Sequence, residues 1–234
     1  MKTSWVMWMS AGAAIVLVPA LSSGQAKEFR FTPYVGVFVP AAKLAQVNQT
    51  VAGTSFGGTL EHKTGFAIGA TGSYWMTDRI GFEVGGAYAL SDGRAAMTVN
   101  DESQGITDIS AGENARVIFG AAKLMFGILP IGEDAQLRLG VGPAIVNRGG
   151  DAFKLQSDAE GKFTGLTNVG GAVSLCTRIP LTRLLAVRLR AEDVMYQSHL
   201  KFKSNSGPDE SFDFDKKFQN DFILSAGLQI GFRR

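Results

Sequence analysis

Apolar and polar side chains alternate with a period of two along most of the sequence after residue 28. In one run, Val187 and Leu189 fall on one face, whereas Arg188 and Arg190 fall on the other. This spacing is typical of a β-strand that separates an apolar from a polar environment. Eight runs share it, and they predict strands over 29–39, 65–76, 80–90, 116–128, 136–146, 169–179, 185–195 and 219–232.

The connections between these runs alternate strictly in length. Short connections fall at 77–79, 129–135 and 180–184, and long polar ones at 40–64, 91–115, 147–168 and 196–218. An up-and-down barrel in an outer membrane has this arrangement, with short periplasmic turns and longer extracellular loops. Both chain ends then lie on the side of the short turns, which requires an even number of strands. We therefore predict an all-β fold, an eight-stranded antiparallel up-and-down transmembrane β-barrel.

A membrane explains why the strands need to close into a barrel. Hydrocarbon offers no hydrogen-bond partners, so a sheet crosses it only as a closed cylinder with every backbone group paired. About ten residues per tilted strand cross the bilayer, which is roughly the length of each predicted strand. The alternative is a secreted soluble barrel with its apolar face turned inward. Charges near mid-strand on a glycine-rich face favour the membrane barrel, because a narrow eight-stranded interior holds side chains and little else.

The polar face carries a set of charged side chains that we assign to the lumen. Its members are Glu83, Lys123, Arg138, Arg178, Arg188, Arg190, Glu192 and Asp221. Charges inside a barrel require partners, since a buried ion that loses its partner costs about 3–5 kcal/mol. A structural ion-pair network is the first interpretation of this set. A narrow polar passage with a mild preference for anions is the second.

The first 26 residues have the features of a secretory signal peptide. A lysine near the start precedes a mostly apolar stretch over 5–21, and Gly24 and Ala26 supply the small residues of a cleavage site. We predict cleavage after Ala26, export from the cytoplasm, and an outer-membrane β-barrel domain over 27–234. A transmembrane anchor is the alternative, but the apolar stretch is short for one.

Composition narrows the classes of function. Charged residues make up 19% and hydrophobic residues 45% of the chain, which excludes a disordered protein, and a net charge of +2 without a basic block argues against nucleic acid. One cysteine, Cys176, and two histidines, His62 and His199, predict no disulfide framework, metal site or cofactor. Both histidines fall at the bases of predicted loops without a recognisable nucleophile–base spacing, so we interpret them as exposed loop residues.

The last long connection contains a mirrored pattern of charged and aromatic residues. Pairing residue 201 with 215, 202 with 214 and 203 with 213 sets Lys opposite Asp and Phe opposite Phe, about a turn at 205–208. Such cross-strand pairs contribute about 0.2–1 kcal/mol each. We predict a hairpin that extends the last two barrel strands beyond the membrane. The alternative, a calcium or adhesion site on the acidic residues of 209–215, lacks the spacing of a calcium loop.

Four stretches resemble the small bacterial outer-membrane β-barrel superfamily, the OmpA-type transmembrane domain and the OmpW- and OmpX-like barrels. They are TPYVGVFVP at 32–40, SYWMTDRIGFEVGGAYA at 73–89, VRLRAEDV at 187–194 and QNDFILSAGLQIGF at 219–232. The resemblance implies outer-membrane lipid, the barrel assembly machinery and periplasmic chaperones as partners. It also implies an assembly signal at Leu228, Ile230 and Phe232, although Arg233 and Arg234 follow where such barrels usually end on an aromatic residue. A periplasmic peptidoglycan-binding domain is not expected, because the sequence stops there.

These observations predict a non-enzymatic outer-membrane barrel, porin-like in fold, with a structural or surface-interacting role and a largely plugged polar interior. The first alternative is an OmpW-like channel for small solutes or hydrophobic molecules, with lateral access for apolar ones. The second is a barrel enzyme that modifies lipid. The sequence predicts no nucleic-acid partner and indicates no particular oligomeric state.

Overall fold

Antiparallel strands make up most of the described chain, which in this computed structural model covers residues 28–51, 54–101, 105–131, 135–153, 162–203, 212–213 and 216–233. In chain order the strands are β1 (Glu28–Pro40), β2 (Ala45–Val51), β3 (Thr54–His62), β4 (Gly65–Trp75), β5 (Ile80–Asp101), β6 (Gly105–Ile131), β7 (Ala135–Gly150), β8 (Lys162–Thr164), β9 (Thr167–Pro180), β10 (Leu185–Ser198), β11 (Lys201–Lys203), β12 (Phe212–Asp213) and β13 (Lys217–Arg233). Within these ranges, one 3-10 turn spans Asp151–Phe153. The predicted signal peptide and the predicted turn at 205–208 lie outside the described residues.

Eight of these strands close into a ring. The order around it is β1, β4, β5, β6, β7, β9, β10 and β13, so each barrel strand pairs with the next one along the chain. β1 then pairs antiparallel with β13, from Glu28↔Arg233 to Pro40↔Asp221, which joins the first and last strands. Consecutive antiparallel pairing and closure define an up-and-down barrel. The predicted fold class is confirmed.

The barrel strands turn their apolar side chains outward and their charged side chains inward. On β5, Phe82 and Val84 are 42% and 50% exposed, whereas Glu83 between them is fully buried. Aromatic side chains lie on the outer face towards the short turns, at Phe29, Tyr74, Phe82, Phe126 and Phe232. This exterior fits hydrocarbon rather than water. The alternative of a soluble barrel with an apolar face turned inward is therefore wrong. Among the described residues, no helix is long and apolar enough to cross a membrane.

On the long-loop side, two predicted loops are strands. The prediction of a loop over 91–115 is wrong, because β5 and β6 remain paired in one register out to Asp101↔Gly105. Within 40–64, β2 and β3 form a hairpin that joins the sheet through β3 and β5. The alternating apolar residues end where the lipid band ends, but the backbone groups above it still need partners. The strands therefore continue beyond the residues in which apolar and polar side chains alternate.

The predicted hairpin in the last long connection is wrong in register. β11 pairs with β12 so that Lys201 lies opposite Asp213, two residues away from the predicted Asp215. A shift of two keeps each side chain on its face, so Lys still lies opposite Asp and Phe opposite Phe in the register. β11 also pairs with β8, and the three form a separate small sheet rather than an extension of β10 and β13. The partner β8 comes from a distant connection that the mirrored pattern does not reveal.

Candidate functional site: the barrel interior

Five of the eight predicted lumen charges meet in the middle of the barrel. Lys123 Nζ lies 2.6 Å from Glu192 Oε2 and 3.3 Å from Glu83 Oε1, and Arg190 Nη1 lies 3.2 Å from Glu192 Oε2. Arg188 donates a hydrogen bond to Glu83. We call these five residues the central ionic cluster. Its three cations share two carboxylates, and all five side chains are at most 7% exposed.

Three ion pairs of the cluster cross the lumen, and one of them joins Arg190 Nη1 to Glu83 Oε1 at 3.8 Å. Glu83 lies on β5 and Arg188 on β10, and three strands of the ring separate them on one side and three on the other. Lys123 on β6 likewise reaches Glu192 on β10. In contrast, Glu83 and Lys123 are direct cross-strand neighbours. The cluster therefore connects opposite walls, and removing it would leave the centre of the barrel without its filling.

Neutral side chains support the central ionic cluster. Arg188 donates to Thr71 Oγ1 at 3.3 Å and contacts Cys176 Sγ at 3.1 Å. The guanidinium carbon of Arg190 lies 4.1 Å from the centroid of the Tyr34 ring, and Tyr34 Oη donates to the carbonyl of Gly86 at 3.0 Å. Small residues make this packing possible. A Cβ at Gly69, for example, would overlap the Tyr34 ring.

The other three predicted lumen charges lie elsewhere. Arg138 lies towards the short turns, where its guanidinium carbon is 4.1 Å from the centroid of the Trp75 ring. Arg178 is half-buried and lies opposite Gln136 in the register of β9 and β7. Asp221 is at the opposite end, near the long loops. The set that the sequence grouped as one network is thus divided into three groups along the barrel axis.

Asp221 belongs to a second buried group, which includes a residue that sequence reasoning missed. Arg148 is 1% exposed, and its Nη2 lies 3.8 Å from Asp221 Oδ2. Tyr196 bridges them, because its hydroxyl accepts from Arg148 and donates to Asp221. We call these three residues the outer polar cluster. The predicted strand ended at residue 146 and so left out Arg148. Arg148 nevertheless continues the inward alternation of Ala144 and Val146, and this pattern could have identified it from the sequence.

The interpretation of His62 as an exposed loop residue is wrong. His62 is 6% exposed, and its Nδ1 lies 3.2 Å from Ser91 Oγ. Its ring packs between Phe38 and Phe153, at centroid distances of 6.1 and 5.6 Å. β3 lies above the lipid band, and burial together with the nearby Arg148 lowers the pKa of His62 to about 3. His62 is therefore neutral and part of the packing that caps the outer end.

An apolar layer separates the two charged clusters. On β10 the inward side chains run from Glu192 through Val194 to Tyr196, and on β5 they run from Glu83 to two alanines. We call this layer the apolar plug. Its phenylalanine, isoleucine and valine members are Phe38, Val117, Phe119, Val146, Val194 and Ile223, all at most 5% exposed. The rings of Phe38 and Phe119 are 5.5 Å apart. This layer was not predicted, since a phenylalanine on the polar face of a strand carries no distinguishing pattern.

Two very small cavities lie beside the central ionic cluster. One cavity of about 10 Å³ is lined by Tyr34, Lys123, Arg190 and Glu192 among others. A second of about 10 Å³ lies beside Thr32 and Arg190. Each has about the volume that one water molecule needs. Within the described ranges, no three His, Cys, Asp or Glu side chains are grouped as metal ligands.

Comparisons with known proteins agree with this architecture. The crystal structure of the outer membrane protein OprG from Pseudomonas aeruginosa matches with a TM-score of 0.59 and 12% identity, over 90% of this chain and 98% of that one. The solid-state NMR structure of the outer membrane protein AlkL in DMPC bilayers matches with a TM-score of 0.55 and 16% identity, over 93% and 96%. The chain has the fold of a small outer-membrane β-barrel. Its sequence matches no family model and no curated protein at a significant level.

The last strand of this barrel carries the residues to which the family resemblance gives a role in assembly. Leu228 and Phe232 point outward and are 44% and 54% exposed, and Ile230 between them is half-buried. Phe232 lies opposite Phe29 in the register, and their rings are 6.2 Å apart. The three side chains therefore share the outer surface at the turn end of β13. Their role in assembly stays a prediction.

Proposed function

We propose that the protein is a non-enzymatic bacterial outer-membrane barrel with a closed interior, which acts structurally or through its extracellular face. In this proposal the signal peptide is removed after Ala26, and the barrel assembly machinery recognises Leu228, Ile230 and Phe232. Outer-membrane lipid is the partner of the apolar exterior. The observation that carries the proposal is the filling of the lumen.

Three successive layers support a closed interior. The central ionic cluster connects opposite walls, the apolar plug lies above it, and the outer polar cluster lies above the plug. A hydrated ion would have to break salt bridges in the first layer and enter an apolar environment in the second. Buried charges and apolar packing both oppose this, because breaking a buried pair costs about 3–5 kcal/mol.

The long-loop side supports a role for the surface. β2, β3 and the outer halves of β5 and β6 form a continuous antiparallel sheet that rises beyond the lipid band. A second sheet of β8, β11 and β12 lies on the same side. These elements provide ordered backbone outside the membrane, which a barrel that only filled space in the bilayer would not need.

Conductance in planar bilayers tests the closed interior. Wild type, Arg190→Ala from the central ionic cluster, and Arg94→Ala from the exposed part of β5 as the matched control should all give no steady single-channel current. A steady current in the wild type that changes with Arg190→Ala but not with Arg94→Ala would instead establish the small-solute channel.

Lipid analysis tests the absence of enzyme activity. His62 Nδ1 lies 3.2 Å from Ser91 Oγ, and a histidine and a serine can act as base and nucleophile. We expect the composition of lipid A and phospholipid to be the same in cells that express wild type, His62→Phe, His199→Ala or no protein. A change that the wild type causes and a histidine variant abolishes would contradict the proposal and favour a lipid-modifying enzyme.

A further inference from the structure

A carboxylate interrupts the apolar outer face of β10. Ala191 before it and Met195 after it point outward, and Asp193 lies half-buried between them on the same face. Its direct neighbours in the register are also apolar, Phe222 on β13 and Val173 on β9. An ionisable side chain among residues that face lipid is rare and usually marks a functional site.

The charge of Asp193 is not neutralised by the protein. Asn220 Nδ2 donates to Asp193 Oδ2 at 3.1 Å, but an amide carries no charge. Among the described residues, no lysine, arginine or histidine lies within 4.0 Å of this carboxylate. A carboxylate accepts several hydrogen bonds, so Asn220 leaves it able to accept from a further donor. The group that completes this site should therefore be a cation with N–H donors.

The position of Asp193 along the barrel axis places it in the outer leaflet. Eight residues separate it from Leu185, which begins β10 at a short turn. At about 3.3 Å per residue and a tilt of about 40°, this corresponds to about 20 Å along the axis. The apolar band of such barrels is about 25 Å tall. Asp193 therefore lies near the long-loop edge of this band, next to the lipid head groups.

An open apolar groove of about 560 Å³ leads along the outer face towards Asp193. It exists because two alanines, Ala191 and Ala226, lie between larger side chains on the neighbouring strands. These larger side chains are Val35 and Leu189 on either side of Ala226, and Leu175 and Leu224 on either side of Ala191. Ala191 precedes Asp193 by two residues on the same face, so the groove ends beside the carboxylate.

We propose that the groove and Asp193 together bind one lipid whose head group carries a primary ammonium, such as phosphatidylethanolamine. An acyl chain lies in the groove, and the ammonium donates to the Asp193 carboxylate. Charge complementarity selects this head group, because glycerol offers no cation and a quaternary choline offers no N–H donor. The inference rests on the proposed location in the outer membrane and is independent of whether the interior is closed.

Native mass spectrometry tests the preference for the head group. The protein is purified in a non-ionic ether detergent with EDTA and titrated with dimyristoyl phosphatidylethanolamine, phosphatidylcholine or phosphatidylglycerol, which have the same acyl chains. We expect one lipid to be retained per barrel, with half-saturation by phosphatidylethanolamine at a concentration at least about tenfold lower than by the other two. Equal uptake of the three lipids, or no retained lipid, overturns the proposal.

An isosteric variant tests the role of the carboxylate. Asp193→Asn keeps the shape of the side chain and should lower the affinity for phosphatidylethanolamine by about tenfold or more, to that for phosphatidylcholine. Asp92→Asn is the matched control, because it removes an exposed carboxylate on β5, three strands away around the ring, and should leave uptake unchanged. A preference that survives in Asp193→Asn contradicts the assignment of this residue.

A second variant tests the groove. Ala226→Leu places a large side chain on the groove floor and should weaken the uptake of all three lipids, because they share the acyl chain. Uptake that stays unchanged would contradict the groove as the site of the chain. Repeating the phosphatidylglycerol titration with Mg²⁺ in place of EDTA tests the other cation that a carboxylate binds. Uptake that then equals that of phosphatidylethanolamine would assign Asp193 to a divalent cation and overturn the proposal.

Heat-dependent migration on gels separates this inference from the proposed function. A wild-type barrel that migrates as folded but shows no head-group preference contradicts the lipid site and leaves the outer-membrane barrel unaffected. A chain that forms no such barrel in lipid or detergent contradicts both. If a variant fails to fold, the wild-type comparison of the three head groups decides by itself.

Discussion

Glu83 is the residue on which the interior depends most, because it contacts every cation of the central ionic cluster. It is fully buried and lies within 4.0 Å of Lys123, Arg188 and Arg190. The Glu83→Gln substitution keeps the shape of the side chain and removes its charge. Glu192 is then the one carboxylate left in the cluster, and it pairs with Lys123 and Arg190 but not with Arg188. The net charge of the cluster therefore rises from +1 to +2.

We expect Glu83→Gln to lower the free energy of unfolding by about 3–5 kcal/mol, the usual cost of leaving a buried charge without its partner. The measurement is urea unfolding of the refolded barrel, followed by Trp75 fluorescence. With a slope of about 2 kcal/mol per molar urea, the midpoint should fall by roughly 1.5–2.5 M. Asp78→Asn in an exposed turn is the matched control and should change the midpoint little.

A double variant tests whether charge balance is the cause. Adding Lys123→Met to Glu83→Gln returns the net charge of the cluster to +1, and we expect part of the lost stability to be recovered. The two substitutions should therefore be non-additive by about 1 kcal/mol or more. If Glu83→Gln costs less than about 1 kcal/mol, or if the two effects simply add, the ion pairs do not determine the stability of the interior and the reasoning is refuted.

Three further predictions concern the outer end and the exterior. Tyr196→Phe should destabilise the barrel by about 1–3 kcal/mol in urea unfolding, because Arg148 and Asp221 lose the hydroxyl that bridges them; an unchanged midpoint would show that water replaces it. The pKa of His62 is about 3 when its ring is packed between Phe38 and Phe153, and its ordinary value is about 6.5. Between these pH values, the packed outer end therefore binds fewer protons than a state in which His62 is exposed to water. The stability of this packed outer end is complete above about pH 6.5 and decreases as the pH falls towards 3, by about 2 kcal/mol at pH 5. Hydrogen exchange in β3 should show this pH dependence in the wild type but not in His62→Phe. Leu189→Arg places a charge on the lipid face of β10 and should cost about 2–4 kcal/mol if this position lies near the bilayer midplane, as measured by unfolding from vesicles; a neutral effect would argue against the assigned lipid band.

The fold could be predicted where the strands cross the membrane, because lipid requires an apolar outer face there. The alternation of apolar and polar residues located all eight barrel strands, and the lengths of the connections gave their topology. At β5 and β6 the prediction ended near residues 90 and 116, although the strands pair as far as Asp101↔Gly105. Outside the bilayer no apolar face is needed, so backbone pairing continues there without an apolar period in the sequence.

The candidate site was predicted as a set of side chains rather than as an arrangement. Alternation alone assigned Glu83, Lys123 and Arg188 to the lumen, because it fixes the face of each residue on a strand. Alternation does not fix the position of a side chain along the barrel axis, since that position depends on how far each strand is shifted against its neighbours. For this reason Asp221 was grouped with the central charges, although it lies with Arg148 at the outer end.

The sequence by itself determined the strands, the order in which they pair and the face of each side chain, because these properties depend on neighbours one and two residues apart. Only the tertiary structure decided which charges meet across the lumen, since Glu83 and Arg188 are 105 residues apart and touch only after closure. The same holds for the cap over His62, where β1, β3 and the 3-10 turn supply the rings that exclude water. Closure of the barrel arranges strands that are distant in sequence around one axis and fixes how far each strand is shifted along it. This shift determines which inward side chains lie at the same height and form ion pairs.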